Sequence, residues 1–275
     1  MGKIFDIDSP LMHALSKLAD IMWLNILTLI LATPLIIEQA VTIGGYLVQI
    51  ATGEITSLDG IVFYVVIAWV GGIIFSIPLG PALTAMHFVL LKIARDEDSY
   101  VTKSFFRSFK ENFKQGAILQ VIQFTAGGIL LLDFLIMRDN TGIYRYIVTA
   151  IALILYMVSL YVYPLLSKFV NTVLGTLRNA ALMSIMALPK TVLMVLVSAV
   201  PVVIFYFFYV KALPVLILLG ISGPGFLHAL LYNNTFKRFE PKVEEMSEEE
   251  EMDAAIRKID EGAEEVGQEN TDQNQ

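Results

Sequence analysis

Six runs of almost unbroken apolar residues, roughly 21–37, 61–79, 117–137, 147–166, 192–210 and 213–231, alternate with shorter polar stretches. Each is close to the ~20 residues that a helix needs to cross a ~30 Å hydrocarbon core. Backbone amides in lipid must be satisfied within the segment or across a closed barrel, and these runs lack the two-residue alternation of barrel strands. The pattern therefore predicts an all-α fold, a polytopic membrane protein of about six transmembrane helices. Composition agrees, because 56% hydrophobic against 16% charged residues is displaced far from a soluble chain.

The polar connections alternate in charge. The stretch after the first run, 38–60, holds no Lys or Arg, whereas the next holds Lys92, Arg95, Lys103, Arg107, Lys110 and Lys114. The third has Arg138 and Arg145, the fourth Lys168, Arg178 and Lys190, and the fifth Lys211 alone. With Lys3 and Lys17 ahead of the first run and Lys237 and Arg238 after the last, the positive-inside rule places both termini in the cytoplasm, as expected for a multi-pass protein of a plasma membrane. Two features in the first outer connection stand apart. Glu38 closes the first run, and residues 40–51 form a further apolar stretch that reads as a re-entrant or interfacial segment.

The first run reads as an uncleaved span rather than a secretory leader, because Asp6, Asp8 and Asp20 precede it and Pro34, Glu38 and Gln39 occupy the place of a small-residue cleavage site. The chain has no cysteine, which excludes disulfides, thiolate metal sites, a cysteine nucleophile and cysteine lipidation. Charge divides the chain into two domains. Residues 240–275 carry 14 acidic against three basic residues, −11, leaving 1–239 with 12 acidic and 16 basic, +4. The tail has the composition of a largely disordered cytoplasmic segment, with a short amphipathic helix expected after Ser247 and Glu250.

The second connection carries the clearest amphipathic signal. At 100° per residue, Lys103, Arg107, Lys110 and Lys114 fall on one stripe, and Phe105, Phe106, Phe109 and Phe113 gather beside it. A helix with an aromatic face and a basic flank suits the headgroup layer of an anionic membrane surface, where it anchors orientation. The partner implied is the lipid bilayer, not nucleic acid, since these cations sit within a few residues of spans.

Helix breakers punctuate the even-numbered runs: Pro78, Gly80 and Pro81 at the second, Pro164 at the fourth, Gly223 and Pro224 in the last. Such breaks free backbone groups that a neighbouring helix or a solute can satisfy. Gly80-Pro81-Ala82 and Gly223-Pro224-Gly225 hint at a repeat. Asn25, Gln120 and Gln123, with Gly127 and Gly128, read as helix–helix contacts. Asp133 is expected to reach the interface or pair with Arg138, and His87 and His228 read as isolated packing residues. There is no HExxH, GxSxG or GxxxxGK[ST] motif, so no catalytic residue, cofactor or metal site is expected and the chain reads as a non-enzyme.

The segments SIPLGPALTAMHFVLLKIARDEDSYVTKSFFRSFKENFKQ (76–115), YPLLSKF (163–169), RNAALMSIMALPKTVL (178–193) and LLYNNTFKRF (230–239) resemble the YesL family of bacterial membrane proteins, a domain of unknown function. This chain departs from that family by about 40 additional residues, from near Pro34 to near Ile74, in the first outer hairpin. The resemblance implies an accessory or regulatory component of carbohydrate uptake, beside an ABC sugar-transporter permease or as a homo-oligomer. It brings no catalytic or binding residues. The helix breaks support the other reading, a small secondary transporter or channel.

Overall fold

The computed structural model describes residues 10–54, 60–97, 100–137 and 142–240, and among them every regular element is helical. The acidic tail beyond 240, with its expected amphipathic helix, and Arg138 lie outside the described residues. Four helical stretches are long and apolar enough to cross a membrane, Pro10–Ala51, Phe113–Ile136, Ile143–Lys168 and Leu188–Leu219, and a bent pair makes a fifth if it counts as one span.

The first helix differs from its sequence reading. α1 (Pro10–Gln39) does not stop at Glu38; it passes through one π-helical turn (Ala40–Gly44) into α2 (Gly45–Ala51). Residues 40–51 therefore continue the same helix rather than forming a separate segment. The π-turn leaves Thr42 Oγ1 within 2.8 Å of the Glu38 carbonyl, to which it donates. Tyr46 then stacks on Tyr64 of the following helix at 4.5 Å between ring centroids.

α3 (Ile61–Phe75) returns antiparallel to α1, with Gln39 reaching the Ala68 carbonyl. It ends at Ser76, and after a 60° bend α4 (Leu79–Ala94) begins. The second predicted run thus covers only α3 and the break. α4 is a separate, highly buried helix that packs against α1, α5, α6 and α7. α5 (Val101–Glu111) is the amphipathic connection, and it meets α6 (Phe113–Ile136) at Asn112. α7 (Ile143–Lys168) continues past Pro164 without a break in the helix.

α8 (Val173–Met186) occupies a connection that periodicity left without an element. Thr172 caps it by accepting from the Gly175 amide at 3.1 Å. α9 (Leu188–Phe208) ends where Tyr209 takes φ +46°, and a 3₁₀ turn (Tyr209–Ala212) leads into α10 (Leu213–Leu219) and α11 (Ser222–Phe236). α11 runs back along α9, with His228 beside the Met194 carbonyl and Lys190 Nζ donating to Thr235 Oγ1 at 2.9 Å. A strained, left-handed Tyr209 is what this reversal requires.

Packing is uneven along the bundle. The buried residues of α6 are Gly116, Leu119 and Gln120, all in its first half, and those of α7 are concentrated from Tyr161 to Leu166 in its last third. With α4 they form a dense core at one end. The same end gathers the polar ties between helices: the Lys17–Asp96 ion pair, Trp23 Nε1 donating to Thr102, and Arg95 Nε donating to Asn233 Oδ1. At the opposite end helix contacts thin out and two cavities open.

Candidate functional site

Two helices begin at a Gly-Pro pair after a break, and their surroundings define the candidate site. In α11 the pair is Gly223-Pro224, in the first turn, where proline's missing N–H costs no helical hydrogen bond. The break at Gly220–Ile221 leaves the Ile217 carbonyl and the amides of Ile221 and Ser222 without helical partners, whereas the Leu216 carbonyl still accepts from the Gly220 amide at 2.8 Å. Asn25, fully buried on α1, closes it. Its Nδ2 donates to the carbonyls of Ile217 (2.7 Å) and Leu216 (3.4 Å), and its Oδ1 accepts from the amides of Ile221 (2.9 Å) and Ser222 (2.8 Å). The amide thus uses its full bonding capacity. Ser222 Oγ adds a bond to the Ile21 carbonyl at 2.8 Å, so Asn25 is a helix contact of a special kind, a bridge across a broken helix.

At α4 the pair is Gly80-Pro81, and here backbone meets backbone. A Cβ on Gly80 would lie 2.1 Å from the Gly116 carbonyl oxygen, and one on Gly116 would lie 2.8 Å from Pro81 N. Only two glycines permit α4 and α6 to cross this closely. Above the crossing lies a cavity of about 440 Å³ lined by α1, α3, α4, α6 and α7, with Gln39, Trp69, Gln120, Gln123 and Tyr163 as its polar groups. Tyr163 hydroxyl donates to Gln120 Oε1, and Gln39 Nε2 donates to Glu38 Oε2 (2.7 Å) and the Ala68 carbonyl (2.9 Å). Trp69 Nε1 and Gln123 Nε2 are buried with no hydrogen-bond partner. The Trp69 ring lies over Gly128, where a Cβ would come within 2.1 Å of it, whereas Gly127 faces open space.

The basic stripe is at the other end. Lys103, Arg107, Lys110 and Lys114 are all exposed, and Arg107 Nε donates to Glu111 Oε1 at 2.9 Å, a bond that raises the guanidinium pKa further. The aromatic row divides. Phe106 and Phe113 are exposed and Phe109 is half-buried, but Phe105 is fully buried. Phe105 faces the bundle because α5 packs on α4, so it is a core residue rather than an interfacial one. Pro78 caps α4 in helical geometry, and Pro164 is buried within α7.

The pairing of Asp133 with Arg138 lies outside the described residues. Asp133 accepts from the Tyr144 hydroxyl at 2.7 and 2.9 Å, and Arg145 lies over the Phe134 ring. His87 and His228 are not isolated. α4 and α11 bring them to one region, where Tyr232 hydroxyl lies 3.4 Å from His87 Nδ1 and Gly225 packs beside His87. His228 is held by the Met194 carbonyl (2.9 Å) and the Ser198 hydroxyl (3.2 Å). Trp69 and Gln39 were not legible as site residues, since nothing in their local sequence marks them; only the packing of three separate helices joins them to Gln123.

The long apolar helices define a membrane-embedded, all-helical polytopic protein. A family model described as "Protein of unknown function, DUF624" matches residues 60–134, just over a quarter of the chain. That segment is similar to the family in α3, the break, α4, α5 and most of α6, and so includes Trp69, the Gly80–Gly116 crossing, the basic stripe and Gln123. No curated protein and no solved structure matches the chain.

Proposed function

We propose that this is a six-crossing protein of a bacterial plasma membrane, with both termini in the cytoplasm, which takes up a small solute within its bundle and works without catalysis, as a small transporter. The sixth crossing is supported by the α10–α11 leg, which retraces α9 from the Tyr209 turn to Lys190. Orientation is supported by the exposed cations of α5 at the end where the polar ties gather. The observation that carries the solute reading is the cavity at the α3–α4 break, with two buried donors that no protein group satisfies. Natural structures rarely leave such groups unmet without a functional reason.

Flux from reconstituted vesicles tests this reading. Release of at least one solute across a panel of sugars, ions and lipophiles, abolished by Pro81→Leu, is expected. Vesicles inert over the whole panel would contradict transport.

A second reading is favoured by the cytoplasmic end. There a groove lined by Trp23, Tyr100, Phe106 and the exposed Lys103, Arg107 and Lys110 offers aromatic and cationic contacts together. The YesL resemblance makes an ABC carbohydrate permease the expected occupant, and the protein its accessory component. Copurification from mild detergent should then recover a permease in stoichiometric amount, and recovery should fall on Phe106→Ala. Repeated isolation of the intact chain alone would count against it.

A further inference from the structure

The cavity at the α3–α4 break is unbalanced in its hydrogen-bonding groups. Both unmet atoms, Trp69 Nε1 and Gln123 Nε2, are donors. The neighbouring polar groups are engaged: Gln39 with Glu38 and Ala68, Gln120 with Tyr163. No Lys, Arg, His, Asp or Glu lines the cavity, and Leu79, Leu83 and Phe124 make much of its wall. Its volume of about 440 Å³ falls within the range of small-molecule sites.

A second cavity of about 440 Å³ adjoins it between α6 and α7 and shares Gln123, Gly127 and Leu131 with it. Two of the hydroxyls that line this second space, those of Thr149 and Ser159, are turned back onto the carbonyls of Arg145 and Tyr156, and Tyr156 adds a phenol to a largely apolar wall. Gln123 thus stands where two apolar spaces meet. An anion placed there would bring charge to bilayer depth with no countercharge in the wall, and a cation would find no carboxylate in the wall beside the two unmet N–H donors.

We propose that these cavities bind an uncharged, mostly apolar molecule that presents one or two carbonyl- or ether-type oxygens to Trp69 and Gln123 and enters from the acyl-chain layer between α6 and α7. The proposal rests on the solute reading above and names its ligand class. Gly127, open on both cavities, leaves the passage clear, and Gly128 seats the indole against α6.

The chain contains two tryptophans, so Trp23→Phe leaves Trp69 as the reporter. Purified Trp23→Phe protein in detergent is titrated with 2-undecanone, undecane, decanoate and glucose, following indole emission. The ketone should give a saturable red shift and undecane none. Gln123→Leu should weaken ketone binding about tenfold, the effect of losing one good hydrogen bond. Gly127→Leu, which fills the space between the two cavities without removing either donor, should abolish it.

Equal responses to ketone and alkane, or a Gln123→Leu protein that binds as well as its parent, would overturn the proposal. A response to decanoate or glucose but not to the ketone would overturn the ligand class and leave the solute reading standing. If no probe moves Trp69 emission, both fall and the cavity holds water alone.

Discussion

The two broken helices of this bundle start alike and are finished differently. α4 and α11 each begin at a buried break followed by Gly-Pro, and both end at the polar-tied end of the bundle, where Arg95 and Asn233 meet. At α11 one asparagine makes four hydrogen bonds to the severed backbone, and the break is sealed. At α4 the backbone is pressed against α6, but the space above it keeps two buried donors without acceptors. The same local device, a helix interrupted inside the membrane, serves as a joint in one place and borders a site in the other. What decides is the side chain that a neighbouring helix supplies.

Substitutions that break the joint should have the largest effect. Asn25→Leu strands the Ile217 carbonyl and the Ile221 and Ser222 amides in a dry environment, while Leu216 keeps its bond from the Gly220 amide, and at the low end of ~1 kcal/mol for each unmet group the loss is on the order of 3 kcal/mol. Melting in detergent, followed by size-exclusion recovery after heating, should show a large fall. An unchanged midpoint would mean that Asn25 does not hold α10 to α11.

Gly80→Ala comes next. Its methyl would sit 2.1 Å from the Gly116 carbonyl oxygen, a backbone atom that cannot rotate away, and overpacking of this kind costs about 2–3 kcal/mol. The same melting experiment reads it, and a neutral result would show that α4 and α6 are free to separate.

The adjacent glycines of α6 sharpen the comparison at the cavity. Gly128→Ala drives a methyl into the Trp69 ring and should cost about 1–2 kcal/mol, with a change in Trp69 emission. Gly127→Ala meets nothing within 4 Å and should gain up to about 1 kcal/mol from its helix propensity. Effects of the same sign at both positions would contradict the described seating of the indole.

Smallest is the surface pair. Arg107 and Glu111 are more than half exposed, so Arg107→Gln should leave the melting midpoint almost unmoved. A larger loss would indicate that α5 is packed more deeply than its exposed cations indicate.

Much of the fold was legible in the sequence, because a span announces itself by length and apolarity. The runs near 117–137, 147–166 and 192–210 reappear as α6, α7 and α9, each within a few residues at its ends. α8 escaped, since a helix of mixed polarity that packs against α7 shows neither a span's uniform apolarity nor the strong segregation of α5. The extension of α1 through Glu38 escaped for another reason. A carboxylate in an apolar run reads as an end, yet Glu38 is accommodated by Gln39, Thr42 and the bare face of Gly71.

The candidate site was only partly legible. Gln120, Gln123 and the glycines stood out as polar or small positions in apolar runs, but whether a given amide is matched depends on partners that lie tens of residues away. Asn25 finds its partners 191 to 197 positions along the chain. Gln123 finds none for its amide nitrogen. No local pattern separates the two.

The contrast can be tested with one amide on each side. Unfolding midpoints of Asn25→Leu and Gln123→Leu, measured in the same detergent without added ligand, should move in opposite directions: down for Asn25→Leu, and up by an amount equivalent to about 1–2 kcal/mol for Gln123→Leu, because leucine removes an unmet polar group from an apolar wall. A fall in both would contradict the account, since it would mean that Gln123, like Asn25, is already satisfied within the protein.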